Sequence, residues 1–372
     1  MRRVRRWAQP TLLVWAAAVL HSGAMAEEVR VGTREELVAA LASAQAGATI
    51  LVAPGVYRGG VSQARLRGTA ERPIVIAGAD ATQPPVFEGG SGGLQLSSPE
   101  HVELRDLVIA GASGNGLNID DGGSREMPAR HMVLRRLVVR DVGPEGNRDG
   151  IKLSGLDDFR VESCRVERWG SGGSAIDMVG CHRGTIAGCT FVNARGEGAN
   201  GVQTKGGSSE IVIQRCRFQD AGGRAVNAGG STGLAYFRPA DATYEAKDIT
   251  VEDCTFVRGG AAVAFVGVDG AVVRRNTIVR PGRWVFRILQ ENQDARFAVC
   301  RKGRVAENTI VFRSDEVRDT INVGGKTSPE TFEFSGNRWY CTDRPADTKR
   351  LVRLPVGETE GVYDRDPMVK EQ

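Results

Sequence analysis

One short pattern recurs through this chain: an apolar residue, two mostly polar ones, a Cys or Asn, any residue, then another apolar residue. It appears as VESCRV (161–166), IAGCTF (186–191), IQRCRF (213–218), VEDCTF (251–256), VRRNTI (273–278), VAENTI (305–310) and FSGNRW (334–339). Segments 104–109 and 134–139 fit the pattern with Leu in the fourth place. The ladder residues are then Leu107, Leu137, Cys164, Cys189, Cys216, Cys254, Asn276, Asn308 and Asn337, separated by 30, 27, 25, 27, 38, 22, 32 and 29 positions. Periods in this range mark a solenoid, in which each repeat buries its apolar side only by stacking on the next.

Between ladder residues lies a second element with apolar alternation, such as GLNI (116–119), GIKL (150–153), AIDM (175–178), GVQT (201–204) and AVNA (225–228). Period two means strand. Two or three short strands in a turn of roughly 25 residues leave no room for a helix in most repeats, and 48 glycines supply the corners. The expected fold is therefore all-β: one parallel β-helix of about ten coils, its strands stacked ~4.8 Å apart. Propeller blades of ~40 residues fit the spacing poorly. Thr33 and Glu36 form a capping box that opens an amphipathic segment at 35–44, so a short helix is expected to cover the N-terminal end.

The first residues are basic, an apolar stretch runs from 11 to 20, and Ala24-Met25-Ala26 is a small-x-small cleavage signal. Residues 1–26 read as a secretory signal peptide and 27–372 as the β-helix domain. Four arginines of the signal account for the whole net charge of +4, which leaves the remainder near neutral. Bulk charge thus argues against nucleic acid or an anionic membrane as partner. No later stretch reaches the roughly 18 apolar residues that a spanning helix needs. A secreted or periplasmic monomer is expected.

Seven cysteines invite a disulfide framework, but Cys164, Cys189, Cys216 and Cys254 occupy the inward ladder and read as small buried hydrophobes. Cys300 and Cys341 lie off the ladder and are the expected disulfide, with Cys181 left over.

In an apolar-x-apolar strand the middle residue points away from the core. Stacking therefore puts Gln95, Asn118, Lys152, Asp177, Gln203, Asn227, Ala264, Arg287 and Asn322 in one outward, solvent-facing row. A parallel row carries Ser97, Asp120, Ser154, Val179 and Lys205. Gly or Ala at 116, 150, 175, 201, 225 and 262 is expected to leave a groove beside it, suited to an extended polymer. The interval of 38 after Cys216 holds an insertion with Tyr236 and Arg238, long enough to wall that groove with aromatic surface.

Lys205 is the sharpest candidate. An exposed lysine, with a pKa of ~10.4, is a poor base at neutral pH, and cationic neighbours with partial desolvation are what make one useful. Lys152 and Arg224 are the expected neighbours, although strand parity turns Arg224 inward unless it sits in the preceding corner. These groups suit β-elimination on a uronic-acid polymer: Lys205 removes the proton beside the carboxylate while Arg224 and Lys152 stabilise the anion that develops. Asn118, Asp120, Asp149, Asp177, Gln203, Asn227, Tyr236, Arg238 and Arg287 complete the expected substrate-binding set. His101, His131 and His182 form no cluster in the repeat frame.

Segment 200–218, NGVQTKGGSSEIVIQRCRF, resembles the catalytic coil of polysaccharide lyases of the chondroitinase B and alginate lyase type. Those enzymes are right-handed parallel β-helices, and the resemblance implies Lys205 as the Brønsted base and an acidic polysaccharide as partner. It is close over one or two coils and generic elsewhere. The family's arginine falls here at Val226 or Asn227, with Arg224 as stand-in, and its calcium-binding acids fall near Gly198 and Asn200. Calcium is the one candidate cofactor, with Asp120, Asp149 and Asp177 as oxygen donors. The alternatives on the same fold are a glycoside hydrolase using Asp149 and Asp177, a uronan epimerase, and a non-catalytic carbohydrate-binding protein.

Overall fold

The computed structural model describes residues 28–363 and 365–369, and the expected signal peptide lies outside the described residues. The chain winds through three parallel sheets of 13, 12 and 10 strands, visiting each in turn, so that neighbours within a sheet are about one repeat apart in sequence. This is a parallel β-helix. Its core is one continuous cluster that runs from Val31 to Cys341.

The recurring pattern is the corner and strand that the ladder needs. The residue before each ladder position has a left-handed backbone, with φ of 58° at Asp106, 52° at Arg136, 54° at Ser163 and 53° at Arg275, and this turns the chain from one sheet to the next. Inside the corner the ladder residues stack: Cys164 N donates to Cys189 Sγ at 3.4 Å and Cys216 N to Cys254 Sγ at 3.4 Å. From Cys254 onward the amides take over. Asn276 Nδ2 donates to Asn308 Oδ1, and Asn308 Nδ2 to Asn337 Oδ1, both at 2.9 Å. Phe191, Phe218 and Phe256, two residues beyond their ladder cysteines, stack at 4.9 and 4.8 Å.

All seven cysteines are free and buried, which corrects the expected Cys300–Cys341 disulfide. Cys300 Sγ donates to Phe265 O, one coil back, whereas Cys341 Sγ donates to Asp343 Oδ1, two residues on. At the N-terminal end a helix spans Arg34–Ser43. Thr33 Oγ1 accepts from Glu36 N, Glu36 Oε2 accepts from Thr33 N, and Leu37 and Leu41 enter the core. Among the described residues no helix is long and apolar enough to cross a membrane.

His101 and His131, expected not to cluster, stack with ring centroids 4.2 Å apart. They are 30 residues apart, one repeat, and occupy the same left-handed kink of adjacent strands.

Candidate functional site

The ten-stranded sheet, from Val61–Ala64 to Asp319–Val323, carries the site. Its register aligns Gln95, Asn118, Lys152, Asp177, Gln203, Asn227, Ala264, Arg287 and Asn322 in a single row, as expected. Their neighbours Ile151, Leu153, Ile176, Met178, Val226 and Ala228 fill the core, so the row points outward.

Outward is not solvent-facing here. Asp177 and Asn227 are 0 and 1% exposed and Gln203 is 8% exposed. Loops at both ends of the strands rise over the row and form two adjoining cavities that share Ser231. The groove does not come from the small residues at 116, 150 and 201. A Cβ on Gly116 would lie 2.6 Å from Val139 Cγ1, on Gly150 2.5 Å from Val166 Cγ1, and on Gly201 2.2 Å from Ala225 O. Those glycines let the groove sheet pack against its neighbour, and the walls are built by loops.

The first cavity, about 590 Å³, lies over the strands Ile151–Ser154 to Asn200–Lys205. On its floor two lysines share one buried carboxylate. Lys152 Nζ is paired with Asp177 Oδ2, and Lys205 Nζ lies 3.3 Å from Asp177 Oδ1. Asp149 Oδ2 is 3.8 Å from Lys152 Nζ, and Asp149 Oδ1 accepts from Ser174 N at 2.8 Å. Burial and the Asp177 charge push the Asp149 carboxyl up to about 6. Burial works against the Lys152 ammonium, but Asp177 and Asp149 more than offset it and hold it charged. Lys205 therefore stands on a carboxylate, not among cations alone, and of the two amines it has the single, longer acidic contact.

One side of this cavity is the insertion after Gly229. Glu245, almost fully buried, pins it by accepting from Thr232 N and Oγ1 at 2.8 Å, Gly206 N at 3.0 Å and Asn292 Nδ2 at 3.0 Å. Arg238 ties its far end. It pairs with Asp157, donates Nε to Gly180 O at 2.9 Å, and sits 2.8 Å from His182 Nδ1. Arg238 thus anchors the wall while also lining the cavity. Burial raises the Asp157 carboxyl, but the bond from His182, the Arg238 charge and the bond from Arg183 outweigh it and hold the group at about 2. Phe237 is buried against Phe297, whereas Tyr236, 72% exposed, lines the cavity. Arg125, from the loop after Leu117–Asp120, donates to Ala235 O and closes the wall at that end. Asn118 Nδ2 donates to Asp120 Oδ2 at 2.9 Å, so this pair is engaged internally beyond the cavity floor.

The second cavity, about 880 Å³, extends over the strands Asn200–Lys205 to Trp284–Leu289. Arg224 opens its strand, turned outward after all: its Nη1 donates to Asn227 Oδ1 at 3.2 Å and its Nη2 to Glu291 Oε1 at 2.5 Å. Lys205 and Arg224 therefore approach the Gln203–Asn227 part of the row from opposite strand ends. Arg287 donates Nε to Asn322 Oδ1 at 3.0 Å and stacks 4.1 Å from the Trp284 ring centre.

The carboxylates proposed for calcium do not converge. Asp149 and Asp177 both face the Lys152 ammonium, and Asp120 is engaged by Gln95, Asn118 and Gly122 N. Among the described residues no group of three His, Cys, Asp or Glu forms a metal site. These three carboxylates do not form a calcium donor set.

Sequence reasoning missed Arg125, Asn147, Glu245, Arg283 and Trp284. Their positions are set by loop paths, which carry no period. Trp284 had one usable signal: it is one of only five tryptophans, and it stands at the start of the segment that carries the row residue Arg287.

Comparison with known proteins agrees with this architecture. The model of the right-handed β-helix region matches residues 92–310, more than half of the chain. No curated protein matches. Among solved structures, the alginate lyase from Paenibacillus sp. str. FPU-7 is 18% identical, with a TM-score of 0.59 over 81% of this chain and 99% of that one. The Dettilon tailspike protein is 10% identical with a TM-score of 0.60, over 91% of this chain and 66% of its own. A lacto-N-biosidase from Eubacterium ramulus is 14% identical with a TM-score of 0.51, over 88% of this chain and 64% of its own. A lyase, a tailspike and a glycosidase at such identities share the architecture and not one activity. The matched segment places the chain in the right-handed β-helix family, and the three solved structures share its fold.

Proposed function

We propose that the protein is a polysaccharide lyase that cleaves a uronic-acid-containing polysaccharide by β-elimination in this groove. The observation that carries the reading is the Lys205 amine on a cavity floor, 3.3 Å from a buried carboxylate already engaged by a second lysine. Lys152, facing both buried carboxylates, is the cation of the pair, and the base role falls to Lys205, whose acidic contact is Asp177.

In the reaction, neutral Lys205 takes the proton on the carbon beside the uronate carboxylate. The freed electron pair forms the ring double bond, the neighbouring glycosidic carbon–oxygen bond breaks, and the departing oxygen regains a proton that the Lys205 ammonium can return. Arg224, approaching from the opposite strand end, stabilises the negative charge that builds on the carboxylate. Gln203 and Asn227 lie between the two and supply hydrogen bonds to the sugar. Tyr236 offers the exposed ring on the wall.

The hydrolase reading loses support from the same geometry. Asp149 and Asp177 are buried beneath Lys152, so neither carboxyl faces a glycosidic bond from the groove side. An epimerase shares the proton abstraction but leaves the chain uncut. We propose that the protein acts as a monomer, outside the cytoplasm, after loss of residues 1–26.

The test is incubation of purified protein with a panel of uronate polysaccharides while ultraviolet absorbance is followed. A lyase yields unsaturated, absorbing ends. Shortened chains without absorbance would indicate a hydrolase, inverted uronates in uncut chains an epimerase, and unchanged polymer a binding protein.

A further inference from the structure

The second cavity holds a cation that the elimination step does not use. Arg287 is in the same row as Lys152, Asp177, Gln203 and Asn227, three strands beyond Gln203, or about 14 Å along the groove at ~4.8 Å per strand. Its neighbours leave its charge unanswered. Glu291 is taken by Arg224 at 2.5 Å, Asp220 is paired with Arg258 at 2.5 Å, and Glu197 is 3.9 Å from Arg283 and almost wholly in solvent. Among the described residues Arg287 pairs with no carboxylate; its partners are the Asn322 amide and the Trp284 ring. Burial, with Arg224 and Arg283 close by, lowers the guanidinium to about 10 despite Glu291.

Trp284 fixes the geometry. The guanidinium carbons of Arg283 and Arg287 lie 4.5 and 4.1 Å from its ring centre, so the indole holds two cations in place. Part of the rim is bare backbone, at Gly222, Gly223, Gly259 and Gly260. A Cβ on Gly223 would be 2.1 Å from Glu197 O, and on Gly260 2.6 Å from Gly223 O. Stacked glycines thus keep side chains off this part of the rim.

We propose that Arg287, positioned by Trp284 and Arg283, is a second anion subsite that binds the carboxylate of a uronate several units from the bond being cut. This rests on the lyase reading for the position of that bond. Lys205, Arg224 and Arg287 then place cations on three of four successive strands, and an acidic polymer with a carboxylate on every sugar matches them better than one in which uronates alternate with neutral or amino sugars. The groove selects runs of consecutive uronates.

The test measures calorimetric affinity of homopolymeric oligouronates, from disaccharide to hexasaccharide, for full-length protein carrying Lys205→Ala, which removes cleavage. Adding Arg287→Ala is expected to weaken hexasaccharide binding by about tenfold or more, the size of a lost charge-assisted hydrogen bond, and to leave the disaccharide within about twofold. Arg287→Lys, which keeps the charge, should recover part of the loss. A hexasaccharide alternating uronate with hexosamine should bind about tenfold more weakly than the homopolymer. Unchanged hexasaccharide affinity in Arg287→Ala, equal losses at all lengths, or equal binding of the two hexasaccharides overturns the proposal. These readouts need no turnover, so absence of unsaturated products from the wild type would remove the lyase reading separately.

Discussion

At the scale of the residue, the account turns on how one buried carboxylate serves two amines. Asp177→Asn keeps the shape and deletes the shared charge, leaving Lys152 and Lys205 as facing cations. Breaking a buried pair in this way costs about 3 to 5 kcal/mol, so the variant should melt well below the wild type. Like charges disfavour each other's protonation, so its rate should rise at lower pH than that of the wild type. A pH–rate profile with the same midpoint in both proteins would remove Asp177 from the mechanism. The row itself was legible in the sequence, since period two fixes which residues point outward. Its burial was not, because nothing in an alternating strand tells whether a loop passes over it. Arg224 shows the same limit: parity turned it inward, and the glycines before it released it to the groove side.

At the scale of the element, two devices hold the site's frame. The amide ladder is one. Asn308 accepts from Asn276 N and Nδ2 and donates to Val273 O and Asn337 Oδ1, all within 3.0 Å. Asn308→Ala leaves several buried partners unmatched and should cost at least about 2 kcal/mol, whereas Asn308→Cys should cost less, because sulfur fills the same place in four other coils. Equal melting temperatures for the two variants would contradict the ladder's role. The other device is the wall tied by Asp157. Its carboxyl is held at about 2 against an ordinary 3.8, so its contribution is present above about pH 4 and is lost as pH falls toward 2. Proteolysis within 231–244 should quicken in that acid range, and Asp157→Asn should show the same opening at neutral pH. Resistance in both conditions would show that Glu245 and the Phe237–Phe297 contact suffice. The ladder announces itself by recurrence, and the wall only as a long interval, since Asp157, His182 and Arg238 come from three separate coils.

At the scale of the whole molecule, the stacked coils hold without a disulfide. Every cysteine is free, so a reducing agent should leave the melting temperature unchanged, and a fall of several degrees would mean a disulfide. The β-helix was legible because nine ladder positions repeat one physical requirement. Position off the ladder does not pair Cys300 with Cys341: each thiol has its own hydrogen-bond acceptor, Phe265 O one coil back and the Asp343 carboxylate. The likeness to an alginate lyase supplies the fold at 18% identity, so the chemistry stands on the groove itself. The most direct test compares wild type with Lys205→Ala and Lys205→Arg on a uronate polymer that the wild type cuts, reading ultraviolet absorbance for turnover and calorimetry for binding. The account predicts turnover lower by several orders of magnitude in both variants, with affinity within about tenfold; unsaturated product released at near wild-type rate by Lys205→Ala would contradict it.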